Sequence, residues 1–258
     1  MQSKLPGHLW RDETIAKLPG MAPLKPENWL LVDDAYGPQM ALRDRLIRAR
    51  AGDVLAMEPS ALAAASELLD QVIDALKLDP GYQVSDGAVI RPDGVKIALN
   101  RAEPLATAGR LVQEDLCLMQ RRGDAHVLTG AVLCFPAGWT LAEKMRRPLI
   151  GIHRPVAQYN ADTAKRVQRL FDAIKPGRPL WRANGFYYDT PELFAPFTEA
   201  EPRPKISAMA GYFRAERQCL LRLPVSGAVV FSIHTYMIRR QDLSPVQADL
   251  AQRVLTKD

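Results

Sequence analysis

The sequence predicts an α+β fold in which a mainly antiparallel sheet is flanked by helices. Short apolar segments with strand-like alternation are separated by Asp-Gly pairs at residues 86–87 and 93–94, as in hairpins. Segments with helical spacing of apolar residues precede and follow a first group of strands, and the last third returns to strands. Because strands and helices occur in separate runs, a parallel sheet of alternating β and α units is disfavoured.

The composition is that of a globular protein with a sizeable core. The 258 residues are 47% hydrophobic and 24% charged, and the net charge is +5. Lysines and arginines occur singly or in pairs, which favours an anion or an acidic protein as partner and argues against nucleic-acid binding. No apolar stretch is long enough for a membrane span, and the three cysteines form no C-x-x-C pair. We therefore expect a soluble, cytoplasmic protein with reduced thiols and no membrane partner.

Residues 1–80 are predicted to form an N-terminal arm and a helical extension. The arm is rich in proline, so it is either a frayed tail or a segment pinned by Trp10 and Trp29. Apolar residues at helical spacing then predict helices over residues 39–50 and 60–78. In the first of these helices the arginines, among them Arg43, are expected on the polar side.

Residues 81–258 are predicted to form the main domain, and the two parts are expected to make one compact unit. The predicted strands cover residues 82–84, 88–90, 95–99, 116–121, 126–135, 179–188, 207–215, 218–223 and 228–236. The predicted helices cover residues 104–113, 141–145, 149–153 and 161–174, and a last one begins near residue 244.

Strand alternation gathers polar and aromatic side chains on one side of each of three late strands. These sets are Arg182, Asn184, Phe186 and Tyr188; Arg214, Glu216 and Gln218; and Ser232, His234 and Tyr236. Such sets are typical of a solvent-facing side of a sheet, or of a pocket for a partly apolar ligand. The residues alone leave both interpretations open.

His153 is the histidine whose surroundings best suit a ligand. It lies between an apolar segment and Pro155, which would hold the ring in place, although a core histidine is the more common outcome of such a pattern. His126 follows a turn and is expected at the surface. The sequence has no closely spaced His/Cys set for zinc, no G-x-S-x-G elbow and no glycine-rich phosphate loop.

An ordered series of motifs resembles the haem-dependent oxidative N-demethylase alpha-subunit-like family. The motifs are QEDLCL at 113–118, CFPAGW at 134–139, IHRPV at 152–156, GRPLWR at 177–182, RAERQ at 214–218 and IHTY at 233–236. This resemblance implies a PAS-like antiparallel sheet that encloses haem b. It also implies oxidative N-demethylation of a small secondary amine such as dimethylamine, which uses O2 and releases formaldehyde.

The resemblance further implies that electrons come from separate flavin and iron–sulfur reductase subunits. The absence of a recognisable flavin, nicotinamide or iron–sulfur motif in the sequence agrees with such a monooxygenase-type subunit. Two alternatives remain: a PAS-like module that binds haem or another small ligand as a sensor without turnover, and a haem-free relic of the fold.

Residue by residue, the resemblance makes His153 the axial ligand of the iron, through a neutral imidazole nitrogen. Trp139 would pack against the macrocycle or the core around it. Haem propionates require cations, and the candidates are Lys144, Arg147, Arg154 and Arg214.

Three further residues are candidates for catalysis: Glu216, His234 and Tyr236. Glu216 would hold an ammonium substrate or pair with Arg214, and pairing is the more common outcome. The family resemblance associates an arginine with the position of His234, so a titratable group replaces a permanent charge there. His234 is also an alternative second axial ligand.

Overall fold

A computed structural model describes residues 1–9, 20–152 and 161–255 of the protein. The α-helices are α1 (Tyr36–Ala49), α2 (Ala51–Val54), α3 (Leu62–Leu76), α4 (Pro104–Leu111), α5 (Leu141–Lys144), α6 (Leu149–Ile152), α7 (Ala161–Ala173) and α8 (Pro245–Leu255). The strands are β1 (Ala22–Pro23), β2 (Leu55–Met57), β3 (Gln83–Val84), β4 (Ala88–Ile90), β5 (Lys96–Ala98), β6 (Asp115–Arg122), β7 (Ala125–Val132), β8 (Leu180–Tyr188), β9 (Tyr212–Arg222) and β10 (Val229–Arg239). Short 3-10 helices cover Pro26–Asn28, Pro59–Ala61 and Arg240–Asp242.

Seven strands form the main sheet, in the order β1-β8-β9-β10-β6-β7-β2, and all neighbouring pairs are antiparallel. Strands β3, β4 and β5 form a small second sheet. The predicted α+β class with a large antiparallel sheet flanked by helices is thus confirmed. Strand β2 belongs to the predicted helical extension yet pairs with β7. The boundary at residue 80 stays a prediction.

The prediction of two strands over residues 207–215 and 218–223 is wrong. Strand β9 runs without a break from Tyr212 to Arg222, and each of its residues has a partner on β10. Its charged residues Arg214, Glu216 and Arg217 are buried within the strand: Arg214 and Glu216 bond to each other, and Arg217 donates to the Trp29 carbonyl.

The main sheet has two faces that are covered by different helices. We call one the α7 face: its Cys117, Leu220 and Val229 belong to the apolar cluster that contains residues of α5, α6 and α7. We call the other the α3 face: its Leu118 and Val230 pack with residues of α1, α3 and α4. Any site built on the sheet must therefore be assigned to one of these faces.

The N-terminal arm is pinned to the α3 face by one tryptophan. Trp29 is buried, and its indole Nε1 donates to Ser232 Oγ at 2.9 Å. Arg217 on β9 donates to the Trp29 carbonyl at 3.0 Å. The pinned alternative is confirmed for Trp29, whereas Trp10 lies outside the described residues. Nowhere in the described ranges is a helix both long and apolar enough to cross a membrane.

Two charged or polar side chains that were predicted at the surface are buried. Arg43 on α1 is 0% exposed and its Nη1 lies 2.6 Å from Asp115 Oδ1, because α1 packs against the start of β6. His126 is 1% exposed beneath α7, where its Nδ1 lies 2.8 Å from Gln168 Nε2. Burial lowers the pKa of His126, which favours the neutral ring.

Helix α4 approaches the sheet closely at Gly109. A Cβ atom at this position would lie 2.4 Å from Val132 Cγ2 on β7, which is far inside van der Waals contact. The residue must therefore be glycine for α4 to lie at its observed distance from the sheet.

We expect Gly109→Ala to lower the free energy of unfolding by about 1–3 kcal/mol through overpacking. In a Val132→Ala background the same change should be neutral or stabilising, because the clash is removed and alanine favours the helix. Urea denaturation of the four proteins in the cycle measures this coupling. Gly52→Ala in α2 is the control, since nothing lies within 4 Å of a Cβ there. Equal effects of Gly109→Ala in both backgrounds would contradict the packing argument.

Candidate functional site

A group of four polar side chains on the α7 face forms the centre of the candidate site. In the register of the sheet, Arg182 lies opposite Gln218, and Asn184 lies opposite Glu216. Side chains directly opposite each other on neighbouring strands share a face and have Cβ atoms about 5 Å apart. We call these four residues the polar patch. It is bordered by apolar residues of the same rows, Leu180, Phe231 and Ile233.

Hydrogen bonds connect three members of the polar patch. Arg182 Nη1 donates to Gln218 Oε1 at 3.1 Å, and Gln218 Nε2 donates to Glu216 Oε2 at 3.1 Å. Asn184 differs, because its Oδ1 is buried and accepts no hydrogen bond from the described residues. Buried polar atoms nearly always have a partner, so this oxygen is an acceptor available to a bound molecule.

Arg214 and Glu216 form a buried ion pair. Arg214 Nη2 lies 3.1 Å and Nε 3.2 Å from Glu216 Oε1. Arg214 also donates to the carbonyls of Leu193 and Phe135. The pairing alternative predicted for Glu216 is thus realised. The guanidinium of Arg214, proposed from the sequence as a propionate partner, is already surrounded by acceptors.

Lys144 and Arg147 are likewise paired within the protein. Lys144 Nζ lies 3.1 Å and Arg147 Nη1 2.7 Å from the same oxygen, Glu199 Oε1. These two bonds hold α5 and the chain after it against the segment between β8 and β9. Hydrogen bonds from both cations lower the pKa of Glu199, which keeps the carboxylate charged. Their assignment to haem propionates stays a prediction.

Trp139 lies beside the helices that cover the α7 face. It is half-buried and packs against the apolar cluster that includes Leu141 and Leu149. Ile152, the last residue of α6, packs against the same cluster. His153 and Arg154, proposed as iron ligand and propionate partner, lie outside the described residues.

His234 and Tyr236 lie on the α3 face, opposite to Glu216. His234 Nδ1 is 2.9 Å from Glu114 Oε1, and its Nε2 is 3.1 Å from Asp33 Oδ2. The Tyr236 ring lies 4.7 Å from the imidazole. Glu216 is paired with Thr235, and alternate residues of β10 point to opposite sides of the sheet, so His234 and Tyr236 lie across the sheet from Glu216. The assignment of these three residues to catalysis stays a prediction.

The two carboxylates stabilise the charged form of His234. Burial alone would lower the pKa of this imidazole, but the hydrogen bonds to Asp33 and Glu114 outweigh burial and raise it to about 9. For Asp33, burial would raise the pKa, and the bonds from His234 outweigh it and lower the pKa to about 2. An imidazolium with both nitrogens bonded to carboxylates has no lone pair for a metal ion, so this arrangement does not favour His234 as a second axial ligand.

Asp33, Glu114 and Asn184 were not predicted as site residues. Asp33 follows the proline-rich arm and lies 201 residues from His234, and no local pattern indicates their contact. Asn184 had a usable signal, since strand alternation already placed it beside Arg182 and Phe186. Within the described parts of the chain, no group of three or more His, Cys, Asp or Glu side chains could hold a metal ion.

A comparison with protein families finds a match across nearly the whole chain. A family model described as "Haem-dependent oxidative N-demethylase, alpha subunit-like" matches residues 20–257. The matched residues include β8 and β9, which carry the polar patch, and β10, which carries His234.

We expect His234→Gln to remove a pH-dependent part of the stability. Because the pKa of His234 is raised from 6.5 to about 9 by folding, the stabilisation is fully present below about pH 6.5 and is lost as pH rises through 9. The shift corresponds to a loss on the order of 3 kcal/mol. Denaturant unfolding between pH 6 and 10 measures it, with His8→Gln as the exposed control. If the free energy of unfolding of His234→Gln falls with pH as steeply as that of the wild type, the raised pKa of His234 is refuted.

Proposed function

Because the chain belongs to the haem-dependent oxidative N-demethylase, alpha subunit-like family, we propose that it is a haem-dependent oxidoreductase that demethylates a small secondary amine. Dimethylamine is the simplest such substrate, and formaldehyde is the second product. The observation that carries this proposal is the match over residues 20–257. Geometry on the α7 face adds independent support.

The residues of the α7 face fit a flat, largely apolar cofactor. Leu180, Phe231 and Ile233 form an apolar border that packs with the cluster under α7, and the polar patch lies beside them with one buried acceptor, Asn184 Oδ1, that receives no hydrogen bond from the described residues. We propose haem b as this cofactor, on a PAS-like sheet; His153 would bind its iron, and Trp139 would pack near it. Bound haem supplies the activation of O2 for oxidation, while the protein sets ligand, polarity and access.

Glu216 and Asn184 would orient the amine. Glu216 Oε1 accepts from Arg214, and Oε2 accepts one bond from Gln218, so Oε2 retains capacity for a further donor. A secondary ammonium ion has two N–H groups, which match Glu216 Oε2 and Asn184 Oδ1. His234 and Tyr236 would act from the α3 face, by holding in place the strand that carries Ile233 and Thr235.

Electrons would come from a separate reductase with flavin and iron–sulfur centres. The overall reaction consumes the amine, O2, two electrons and two protons, and yields the demethylated amine, formaldehyde and water. The chain itself has no sequence motif for a flavin or nicotinamide nucleotide, and this supports a division of labour between subunits.

Purified protein reconstituted with haem is expected to show a Soret band that responds to reduction by dithionite. His153→Ala should abolish the band or shift it strongly, because the axial ligand sets the electronic state of the iron. His8→Ala, at an exposed histidine, is the matched control and should leave the spectrum unchanged. An unchanged spectrum for His153→Ala would remove His153 from the role of ligand.

We expect formaldehyde release from dimethylamine that depends on both O2 and a reductant. Asn184→Leu, which keeps the side-chain size and removes the acceptor, should raise KM about fivefold, because one hydrogen bond contributes about 1 kcal/mol. Its Soret band should not change, and Glu27→Gln at an exposed carboxylate is the control. Binding of haem without any formaldehyde would support the sensing module instead.

A further inference from the structure

One glutamine of α7 bonds twice to a buried histidine of the main sheet. Gln168 Oε1 accepts from the backbone amide of His126 at 3.1 Å, and Gln168 Nε2 lies 2.8 Å from His126 Nδ1. His126 belongs to β7 and is 1% exposed, and its ring lies 5.3 Å from the ring of Phe171. Ala164, Val167 and Phe171 of α7 pack into the apolar cluster of the same face. The position of α7 on the sheet therefore depends on this polar pair as well as on apolar packing.

The orientation of the Gln168 amide determines where the imidazole carries its proton. The amide oxygen faces the backbone N–H of His126, and the amide nitrogen also donates to Asp172 Oδ1 at 3.2 Å. Gln168 Nε2 is therefore a donor toward His126 Nδ1, and Nδ1 accepts only when it has no proton. The proton of the neutral ring then lies on Nε2, which is buried and has no acceptor in the described parts of the chain.

The charged groups around His126 do not compensate a positive charge on its ring. On α7, Asp172 Oδ1 lies 3.9 Å from His126 Nδ1, but the same oxygen lies 3.6 Å from Arg121 Nη1. Arg121 lies on β6, opposite His126, and Arg222 of β9 donates to the Phe171 carbonyl. Burial, assisted by these two arginines, lowers the pKa of His126 below 6.5 despite the opposing effect of Asp172.

We propose that acid protonates His126 and thereby releases α7 from the sheet, so that α7 is a pH-sensitive cover of the α7 face. A proton on Nδ1 would point at the Gln168 donor, and the bond between the two side chains becomes a repulsion. A flip of the Gln168 amide does not restore it, because the flipped nitrogen would face the His126 backbone donor and the flipped oxygen the Asp172 carboxylate. Protonation is therefore coupled to opening, which gives the ring access to water. This device goes beyond the proposed function and does not require a bound cofactor.

The opening is local, because the C-terminal end of α7 has a tether that does not titrate. Arg222 donates from Nε to the Ile174 carbonyl at 2.7 Å and from Nη2 to the Phe171 carbonyl. A guanidinium stays protonated at every pH at which the protein is folded. Acid therefore loosens the part of α7 that contacts His126, while the strands of the sheet remain paired.

Opening of α7 should increase as the pH falls below 6.5. In the closed state the pKa of His126 is lowered from 6.5, and in the open, hydrated state it returns to that value. The closed state is thus fully stable above pH 6.5 and loses stability as the pH falls below it. Between pH 7.5 and 5.5 the ratio of open to closed protein rises by up to about tenfold.

The three native thiols report where the protein opens. Cys117 belongs to the apolar cluster of the α7 face, whereas Cys134 and Cys219 belong to the cluster of the α3 face, and all three are buried. The full chain is reacted with dithiodipyridine between pH 5.5 and 7.5, and mass spectrometry follows each thiol. Each rate is divided by that of the same thiol in the urea-denatured chain at the same pH. We expect the relative rate of Cys117 to rise up to about tenfold at pH 5.5, and those of Cys134 and Cys219 to stay constant.

Two variants separate His126 from other groups that titrate in acid. His126→Asn keeps an acceptor near the position of Nδ1 but cannot titrate, so the relative rate of Cys117 should not depend on pH. Gln168→Glu replaces the donor by a carboxylate oxygen that binds the protonated ring, so acid should lower the relative rate of Cys117. His8→Gln, at an exposed histidine, is the control and should keep the response of the wild type.

A relative rate of Cys117 that is independent of pH in the wild type would overturn the proposal, and so would an acid response that persists in His126→Asn. Parallel exposure of all three thiols would indicate global unfolding and would overturn it as well. If His126→Asn does not fold, Gln168→Glu decides: a decrease in acid supports the coupling, and an increase refutes it.

Discussion

The buried ion pair between Arg43 and Asp115 is the constraint on which the rest of the structure depends. Both side chains are fully buried, and Asp115 also accepts hydrogen bonds from the amides of Cys134 and Phe135. Arg43 donates to the carbonyls of Gly109 and Glu114 as well. One pair thus joins α1, the end of α4, the start of β6 and the chain after β7. Loss of either partner would leave an unpaired buried charge and lower the free energy of unfolding by about 3–5 kcal/mol.

This constraint reaches the candidate site through Phe135. The Phe135 amide bonds to Asp115, whereas its carbonyl accepts from Arg214, the partner of Glu216. The position of the Arg214–Glu216 pair therefore depends on where Asp115 holds the chain after β7. The same segment continues into Gly138 and Trp139, so their position depends on the same anchor.

The sequence predicted the fold class and most elements, because apolar periodicity and turn residues are local signals. It failed where a polar side chain has a distant partner. Arg43 and His126 were assigned to the surface, yet both are buried: Arg43 is paired with Asp115, 72 residues away, and His126 Nδ1 contacts Gln168, 42 residues away. Strand alternation also sorted the residues of each late strand into two sets, one for each side of the strand. It did not show which sets of neighbouring strands lie on the same face of the sheet. That depends on register, which only the paired strands reveal.

The register also changes the meaning of the histidine at position 234. In the family resemblance this position is associated with arginine, and its replacement suggested altered chemistry in the pocket. The structure places His234 on the α3 face, where it binds Asp33 of the N-terminal arm and Glu114 next to Asp115. A cation at this position therefore balances one buried carboxylate, Glu114, and one half-buried carboxylate, Asp33, and it fastens the arm to β10. Because its pKa is raised, the imidazole of His234 is protonated at neutral pH and fills that role. The replacement of arginine by His234 therefore bears on the stability of the fold. The residues of β10 that face the proposed cofactor are Phe231 and Ile233, on the other side of the sheet.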